Sequence, residues 1–354
     1  MASIDSNLSL NSNTFCTSVV VPAIERLNET NIKPTVGVLD ALSTNGINQG
    51  VLKPDSTKER PSSTSGRKLY TRSETVDCNQ SSTPVDLCNL PAIANNYVDN
   101  RKLVEHAVEL SVTRTIPINA EEFKKYCDTP DDYFQRRIKE LAPGVLKEIN
   151  EKLSVQLIGY MGSYFGQTLP ATSITNSKAL SFFNQNYNGQ AFVKNEYALL
   201  GHTMADPVYI GGEYISHLKD SQTRLVGYNR DGYTTPAIQN AFVDFGIDTL
   251  INIPPNKYIL TFLPETFVLL NYNDINEWNS KYKGSSVIEK NVLDVSPFGD
   301  PFSWDYMLQV DASGCNYQVT FQTYFDLGKT HRYNCAGATA LAFIAQCTEN
   351  NCPV

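Results

Sequence analysis

Apolar residues recur every three or four positions at Phe134, Ile138, Leu141, Val145, Ile149, Leu153, Leu157 and Met161. That stripe predicts one long helix over Thr129 to Gly166. Its start is marked: Thr129 can cap, Pro130 suits the first helical position, and Asp132 completes a capping-box pattern. Asp131 and Asp132 also place negative charge where the helix dipole favours it. Gly159, Gly162 and Gly166 weaken the last turns. At about 1.5 Å per residue the element would span roughly 50 Å, more than an ordinary domain needs. Pro143 and Gly144 interrupt the pattern, which predicts a kink there; two helices broken at Pro143 is the alternative.

The patterns on either side are shorter. Ser18 to Glu29 reads as a helix with Pro22 in its first turn, and Thr35 to Leu42 as a short apolar piece. Ser43 to Gly66 is rich in Ser, Thr, Asn, Gly, Pro and charge, which predicts an extended loop. Lys68 to Val76 and Val104 to Ile118 read as strands, with loop composition from Asp77 to Asn100 between them. Beyond the long helix, Ser177 to Phe183, Glu196 to His202 and Gly212 to Leu218 are helical candidates. Pro207 to Gly212, Ala241 to Ile247 and Lys257 to Leu263 are strand candidates. Pro264 to Tyr272 could start a helix or turn back from the sheet. Alternating strands follow at Asp305 to Val310 and Tyr317 to Leu327, and Ala338 to Cys347 is read as a strand. The order of elements is α+β, without an internal repeat.

Composition narrows the function classes. In 354 residues only 19% are charged, below the roughly 25% usual for soluble proteins, while Asn, Ser, Thr and Tyr are abundant. Such surfaces suit coverage by neighbours. The net charge of −8 argues against a basic nucleic-acid-binding surface. Met1 to Asn13 lacks the order of a secretory signal, and Ala336 to Ala345 is far short of the ~20 apolar residues of a membrane span. Eight cysteines in this length do not form a dense disulfide framework, which predicts reduced thiols in a cytoplasmic product.

No motif defines an active site. The histidines are His106, His202, His217 and His331. His202 and Asp206 have i,i+4 spacing, but Pro207 ends any helix there and no third metal ligand is evident. Cys315, Cys335, Cys347 and Cys352 lack the paired knuckle spacing of a zinc site and read as buried or incidental thiols. Gly159-Tyr160-Met161-Gly162 and Gly211-Gly212 fit no phosphate-binding fingerprint and read instead as sites of close packing or sharp turns. Asp244, Asp248, Asp305 and Asp311 could supply a glycosidase-type carboxylate pair only if the fold brought two of them together. The expected set is therefore no catalytic residue, no cofactor and no metal.

The order of parts resembles the major capsid protein of tailed bacteriophages, with its HK-type capsid fold: an N-arm, an extended E-loop, a P-domain with a spine helix, and an A-domain. Tyr197 to His202 followed by Pro207 to Gly212 is similar in texture to a helix leading to an A-domain strand. Phe302-Ser303-Trp304-Asp305-Tyr306 and Thr323-Tyr324-Phe325-Asp326-Leu327 are similar to late P-domain strands. The resemblance implies an N-terminal arm over 1–42, the E-loop and its strands over 43–128, and a P-domain with spine helix over 129–178. An A-domain over 179–300 and strands returning to the P-domain over 301–354 complete it. It implies a subunit that assembles with itself as hexamers and pentamers into an icosahedral shell in the virion. The protein would be made in the host cytoplasm, enclose DNA without sequence-specific contacts, touch no membrane, and have separate scaffold, portal and decoration partners. No long charged scaffolding segment precedes the arm, and no Lys/Asn/Glu set for covalent cross-linking can be matched.

The alternatives are another virion component, such as a minor head or tail protein, and a carbohydrate-active enzyme. The spine-like helix favours the first over a tail-tube subunit, and the missing carboxylate pair disfavours the enzyme. Two further expectations follow. Ser43 to Gly66 should gain its order from neighbouring subunits, and loss of Met1 to Leu42 should impair assembly more than the fold of the remaining core.

Overall fold

The structure is a computed structural model that describes residues 19–29, 37–44, 47, 51–52, 67–74, 101–118, 129–164, 189–202, 206–213, 215–216, 219, 240–250, 257–273, 286–310, 317–329 and 339–345. The predicted long helix runs Pro130–Tyr164, with two short helices, α1 (Val21–Glu29) and α2 (Gly37–Ser43), before it. We call the long helix α3. Its cap forms as the sequence indicates: Asp132 N–H donates to Thr129 Oγ1 at 3.3 Å, and the Thr129 hydroxyl reaches the Asp131 and Asp132 carboxylates at 2.6 Å. Of the eight stripe residues seven are fully buried and Leu141 is partly so, which fixes the core-facing side of α3. The helix is continuous through Pro143 and Gly144 rather than broken into two. Both residues lie on the solvent side, where water can satisfy the carbonyl that proline leaves without a donor.

Three sheets accompany the helices. The first has the order β1-β2-β3 (Val51–Leu52, Lys68–Glu74, Arg101–Ala107), all antiparallel. The second has the order β4-β11-β10-β9, with β8 also paired to β11; its strands are Leu110–Ile118, Tyr317–Lys329, Trp304–Val310, Ser286–Leu293 and Phe267–Tyr272. The third has the order β12-β7-β5-β6: Ala340–Ala345, Lys257–Phe262, Val208–Gly211 and Ala241–Val243. Two further helices lie beside it, α4 (Gly189–Leu199) and α5 (Phe245–Leu250).

One continuous core joins α1, α2, α3, the inner face of the five-stranded sheet and part of the third sheet. Alternation explains the strand contributions: Trp304, Tyr306 and Leu308 on β10 and Val319 and Phe321 on β11 point to it. The other face of these strands carries Asp305, Gln309, Thr320 and Gln322, also buried, with Gln318 Nε2 donating to Gln309 Oε1 at 2.9 Å. Arg114 on β4 pairs with Glu148 on α3, and Lys152 Nζ bridges Glu148 and the Ser111 carbonyl at 2.7 Å each, locking the helix across the sheet.

Several expectations change in detail. Val104 to Ile118 is not one strand: the chain leaves β3 at Ala107 and enters β4 at Leu110, in a different sheet. Ala241 to Ile247 is a three-residue strand followed by α5, because Asp244 accepts from Gly246 N–H and opens a helical turn. Pro264 and Glu265 form a turn, with Thr266 N–H donating to Leu263 O at 3.1 Å, and the chain returns as β8. Glu196 to His202 is the end of α4, closed by Gly201 N–H to Ala198 O and His202 N–H to Tyr197 O, both 2.9 Å, with Gly201 at φ 96°. The described part of Thr35 to Leu42 lies in α2, Gly37–Ser43, and β9 has no forerunner in the pattern. Ser177 to Phe183, Asp77 to Asn100 and most of Ser43 to Gly66 lie outside the described residues; Val51 pairs with Thr71 and Leu52 with Tyr70 of the same chain.

The N-terminal helices share the main core. Val19, Val20, Ala23, Ile24, Val38, Leu39, Ala41 and Leu42 are all buried in the main core. α1 and α2 both pack on α3, so this part of the predicted arm is built into the protomer rather than hung from it.

Candidate assembly elements

Two joints decide how the long helix relates to the rest of the chain. The first gathers α2, α3 and the start of α5. The first N–H groups of a helix lack partners within it, and here distant side chains supply them. Val38 N–H donates to Asp244 Oδ2 at 3.0 Å and Leu39 N–H to Asn150 Oδ1 at 3.0 Å. Asn150 Nδ2 donates to the same Asp244 oxygen at 2.7 Å, and Gly246 N–H to the other at 2.8 Å. Gly37 permits this approach: a Cβ there would lie 2.3 Å from the Val243 carbonyl oxygen. The joint is buried, with Asn150 and Asp244 each 7% exposed.

The second joint lies where the three-stranded sheet meets the body. Strands β1 to β3 pack on one another, and their contact with the rest centres on a small cluster of Leu69, Val108, Val268, Leu270 and Tyr324. Beside it, Lys68 and Glu105 form an ion pair across the strands, and Thr71 Oγ1 and His106 Nε2 lie 2.8 Å apart. Three strands resting on a cluster of this size, as the described residues do, are marginal on their own.

The described candidate chemical residues each have structural partners. His202 is a helix-terminating residue whose ring meets Tyr197 edge-on at 6.3 Å, and Asp206 pairs with Lys194. Asp244 belongs to the first joint. Asp248 accepts from Glu213 N–H at 3.0 Å, and Asp305 faces Gln322 and Val292 in the sheet. Gly211 and Gly212 serve close packing as expected: a Cβ on Gly212 would lie 2.0 Å from Asp248 Oδ2. Gly159 does not, since nothing lies within 4 Å of where its Cβ would be. Cys315, Cys335, Cys347, Cys352, His217, His331 and Asp311 lie outside the described residues. Among the described residues no group of His, Cys, Asp and Glu could hold a metal ion, and no helix is long and apolar enough to cross a membrane. Among the described residues Val155, Leu199, Phe245, Leu250 and Val295 are exposed, Phe245 and Leu250 on α5 and the others on separate segments.

One buried acid lies in the loop before β10. Asp300 accepts from Ser296 Oγ at 2.5 Å, Phe302 N–H at 2.9 Å and Trp304 Nε1 at 3.0 Å, beneath a cluster in which Phe298 meets Trp304 and Phe321 edge-on. Burial pushes its carboxyl up to about 6, against these hydrogen bonds, which lower it. A carboxyl raised in the folded state contributes stability that is present below its unfolded value of 3.8 and lost as pH rises to about 6. At about 1.4 kcal/mol per pH unit the loss is roughly 3 kcal/mol. Glu148 runs the other way: burial raises it, but hydrogen bonds from Lys152 and Arg114 prevail and hold it low. Denaturant unfolding from pH 3.5 to 7 should therefore show wild type losing stability relative to Asp300→Asn between pH 4 and 6. Parallel curves for the two proteins would refute this.

No protein-family model and no curated protein sequence matches the chain. It is similar in structure to a chain of the cyanophage A-1(L) capsid asymmetric unit, at 10% identity and TM-score 0.42, with 78% of this chain and 87% of that one covered. A chain from Mycobacterium phage Che8 gives 9% identity and TM-score 0.41, covering 79% and 85%. A chain from the acidic stable capsid structure of Helicobacter pylori bacteriophage KHP30 gives 8% identity and TM-score 0.37, covering 80% and 85%. Likenesses of this size assign no role by themselves.

Proposed function

We propose that this chain is a major capsid protein of a tailed phage, a shell subunit that works by assembly and performs no turnover chemistry. The observation that carries the reading is the three-stranded sheet, built on one body with a 35-residue helix but supported, among the described residues, by an apolar cluster at its base. A sheet of this kind gains burial by resting on another copy of the chain. The helix-on-sheet body supplies a rigid tile, locked by the Arg114–Glu148–Lys152 bridge and by Tyr133 and Tyr160 hydroxyls donating to Pro117 O and Leu327 O at 2.7 and 2.8 Å. The low charged fraction suits surfaces that neighbours cover, and a net charge of −8 suits enclosure of DNA rather than tight binding of it. In this reading β1 to β3 belong to the extended loop, the long helix is the spine, the five-stranded sheet of β4 and β8 to β11 completes the P-domain, and the sheet of β5, β6, β7 and β12 is the A-domain, so the bounds of 43–128, 179–300 and 301–354 give way to sheet membership. The chain forms hexamers and pentamers in a virion shell, with separate scaffold, portal and decoration proteins, after synthesis in the host cytoplasm.

Electron microscopy of the protein expressed with its scaffold and portal tests this. Closed polyhedral particles are expected. Tubes would move the protein to the tail, and a chain that stays monomeric under those conditions would end the capsid reading.

A further inference from the structure

Among the described residues the base of the three-stranded sheet is tied to the body at Arg67 before β2 and at Val108–Glu109 after β3, while the chain reaches β1 past Ile47, which bridges Leu269 of β8. Arg67 and Val108 are tied together: Val108 N–H donates to Arg67 O at 2.8 Å, and Arg67 Nη1 donates to Val108 O at 3.4 Å. They are also tied to the body. The Arg67 guanidinium lies 3.5 Å from the centroid of the buried Tyr324 ring. Glu109 N–H donates to Asp326 Oδ2 at 2.9 Å. The other oxygen of Asp326 accepts from Gln156 Nε2 of α3 at 2.5 Å and from Leu327 N–H at 2.8 Å, while Gln156 Oε1 accepts from Leu327 N–H at 3.1 Å. Asp326 therefore holds the end of the small sheet with one oxygen and the long helix with the other. The seat is tight, since a Cβ on neighbouring Gly328 would lie 3.0 Å from Val268 and 3.3 Å from the His106 ring.

We propose that Asp326 and Gln156 form a positioning joint that fixes the angle of the three-stranded sheet against the long helix. Resting on the shell reading, this makes the joint the element that sets where the sheet of one copy lands on the next. The physical reason is the balance of contacts at the base. The apolar cluster there is small, whereas a buried carboxylate accepting several N–H groups is strong and directional. An amide in place of the carboxylate offers one acceptor where Glu109 N–H and Gln156 Nε2 both need one. Gln156 could turn its own oxygen round, but Leu327 N–H would then meet an NH2 group. A carboxylate at position 156 would instead repel Asp326.

Hydrogen exchange on the unassembled protein separates the outcomes. Asp326→Asn and Gln156→Glu should each speed exchange about tenfold at Val108 and Glu109, the size of one lost charge-assisted hydrogen bond. Exchange across 68–74 and 101–107 should rise with it, while 145–161 and 304–310 stay at wild-type rates. Glu151→Gln, on the exposed side of the same helix, should match wild type throughout. Exchange that rises everywhere would show that Asp326 only stabilises the fold, and exchange that rises nowhere would show no joint; either overturns the proposal. Should Asp326→Asn fail to fold, Gln156→Glu carries the test alone. In the presence of scaffold and portal, the two variants should give particles of altered or mixed diameter. Variants that show the exchange contrast while wild-type protein forms no particles would refute the shell reading and leave the joint standing.

Discussion

Deleting Met1 to Leu42 should abolish the folded state, not merely slow assembly. Eight buried apolar residues go with it: Val19, Val20, Ala23, Ile24, Val38, Leu39, Ala41 and Leu42. At about 1.5–3 kcal/mol for each of the larger side chains, their burial is worth roughly 10–15 kcal/mol. The net stability of a whole domain is about 5–15 kcal/mol. The deletion also uncovers the side of α3 on which α1 and α2 rest, so apolar surface is lost on both partners. Circular dichroism of the truncated chain should show loss of the cooperative unfolding transition, with exposed apolar surface detected by dye binding. Leu39→Ala, a milder probe of the same contact, should cost about 2–5 kcal/mol. A truncated chain that unfolds cooperatively near the wild-type midpoint would return residues 19–42 to the status of a detachable arm.

The reason this was not legible in the sequence is instructive. Segments of nine and seven residues carry too little periodicity to reveal what they pack against, and loose composition around them reads as an arm. The long helix was legible because it carries its own instructions: a cap at Thr129, acid in its first turn and eight apolar residues at helical spacing. The strands of the five-stranded sheet were legible for the same kind of reason, through alternation at Asp305 to Val310 and Tyr317 to Leu327. Strand β9, with Glu289 buried and Val292 half-buried, breaks that alternation and went unseen. The joints were invisible for a different reason. Gly37, Asn150 and Asp244, or Gln156 and Asp326, are ordinary residues far apart in the chain, and only the fold gives them partners 94 to 206 positions away. Gly211-Gly212 was the partial exception, since paired glycines signal close approach even when the partner, Asp248, cannot be named beforehand.

The same long-range geometry makes Asp244 the most sensitive single position outside the apolar core. Asp244→Ala removes the acceptor for Val38 N–H, Asn150 Nδ2 and Gly246 N–H at once; the first two are buried and the third is half-buried. An unsatisfied buried donor costs about 1–3 kcal/mol, and removing one partner from a buried charged network costs about 3–5 kcal/mol. A loss of about 3–5 kcal/mol is therefore expected from urea unfolding. Asp244→Asn should fall between that and wild type, because its amide keeps one acceptor but turns a donor towards another donor. Asn150→Ala orphans Leu39 N–H while leaving Asp244 in place, so the double variant with Asp244→Ala should lose less than the two single losses added together. Gly37→Ala reaches the same joint by sterics: its Cβ would lie 2.3 Å from a backbone oxygen, so β6 or α2 must move. If Asp244→Ala unfolds within about 1 kcal/mol of wild type, the size of a single ordinary hydrogen bond, the joint is a by-product of packing. Its N–H groups would then have other acceptors, and the N-terminal helices would be held on α3 by their apolar faces alone.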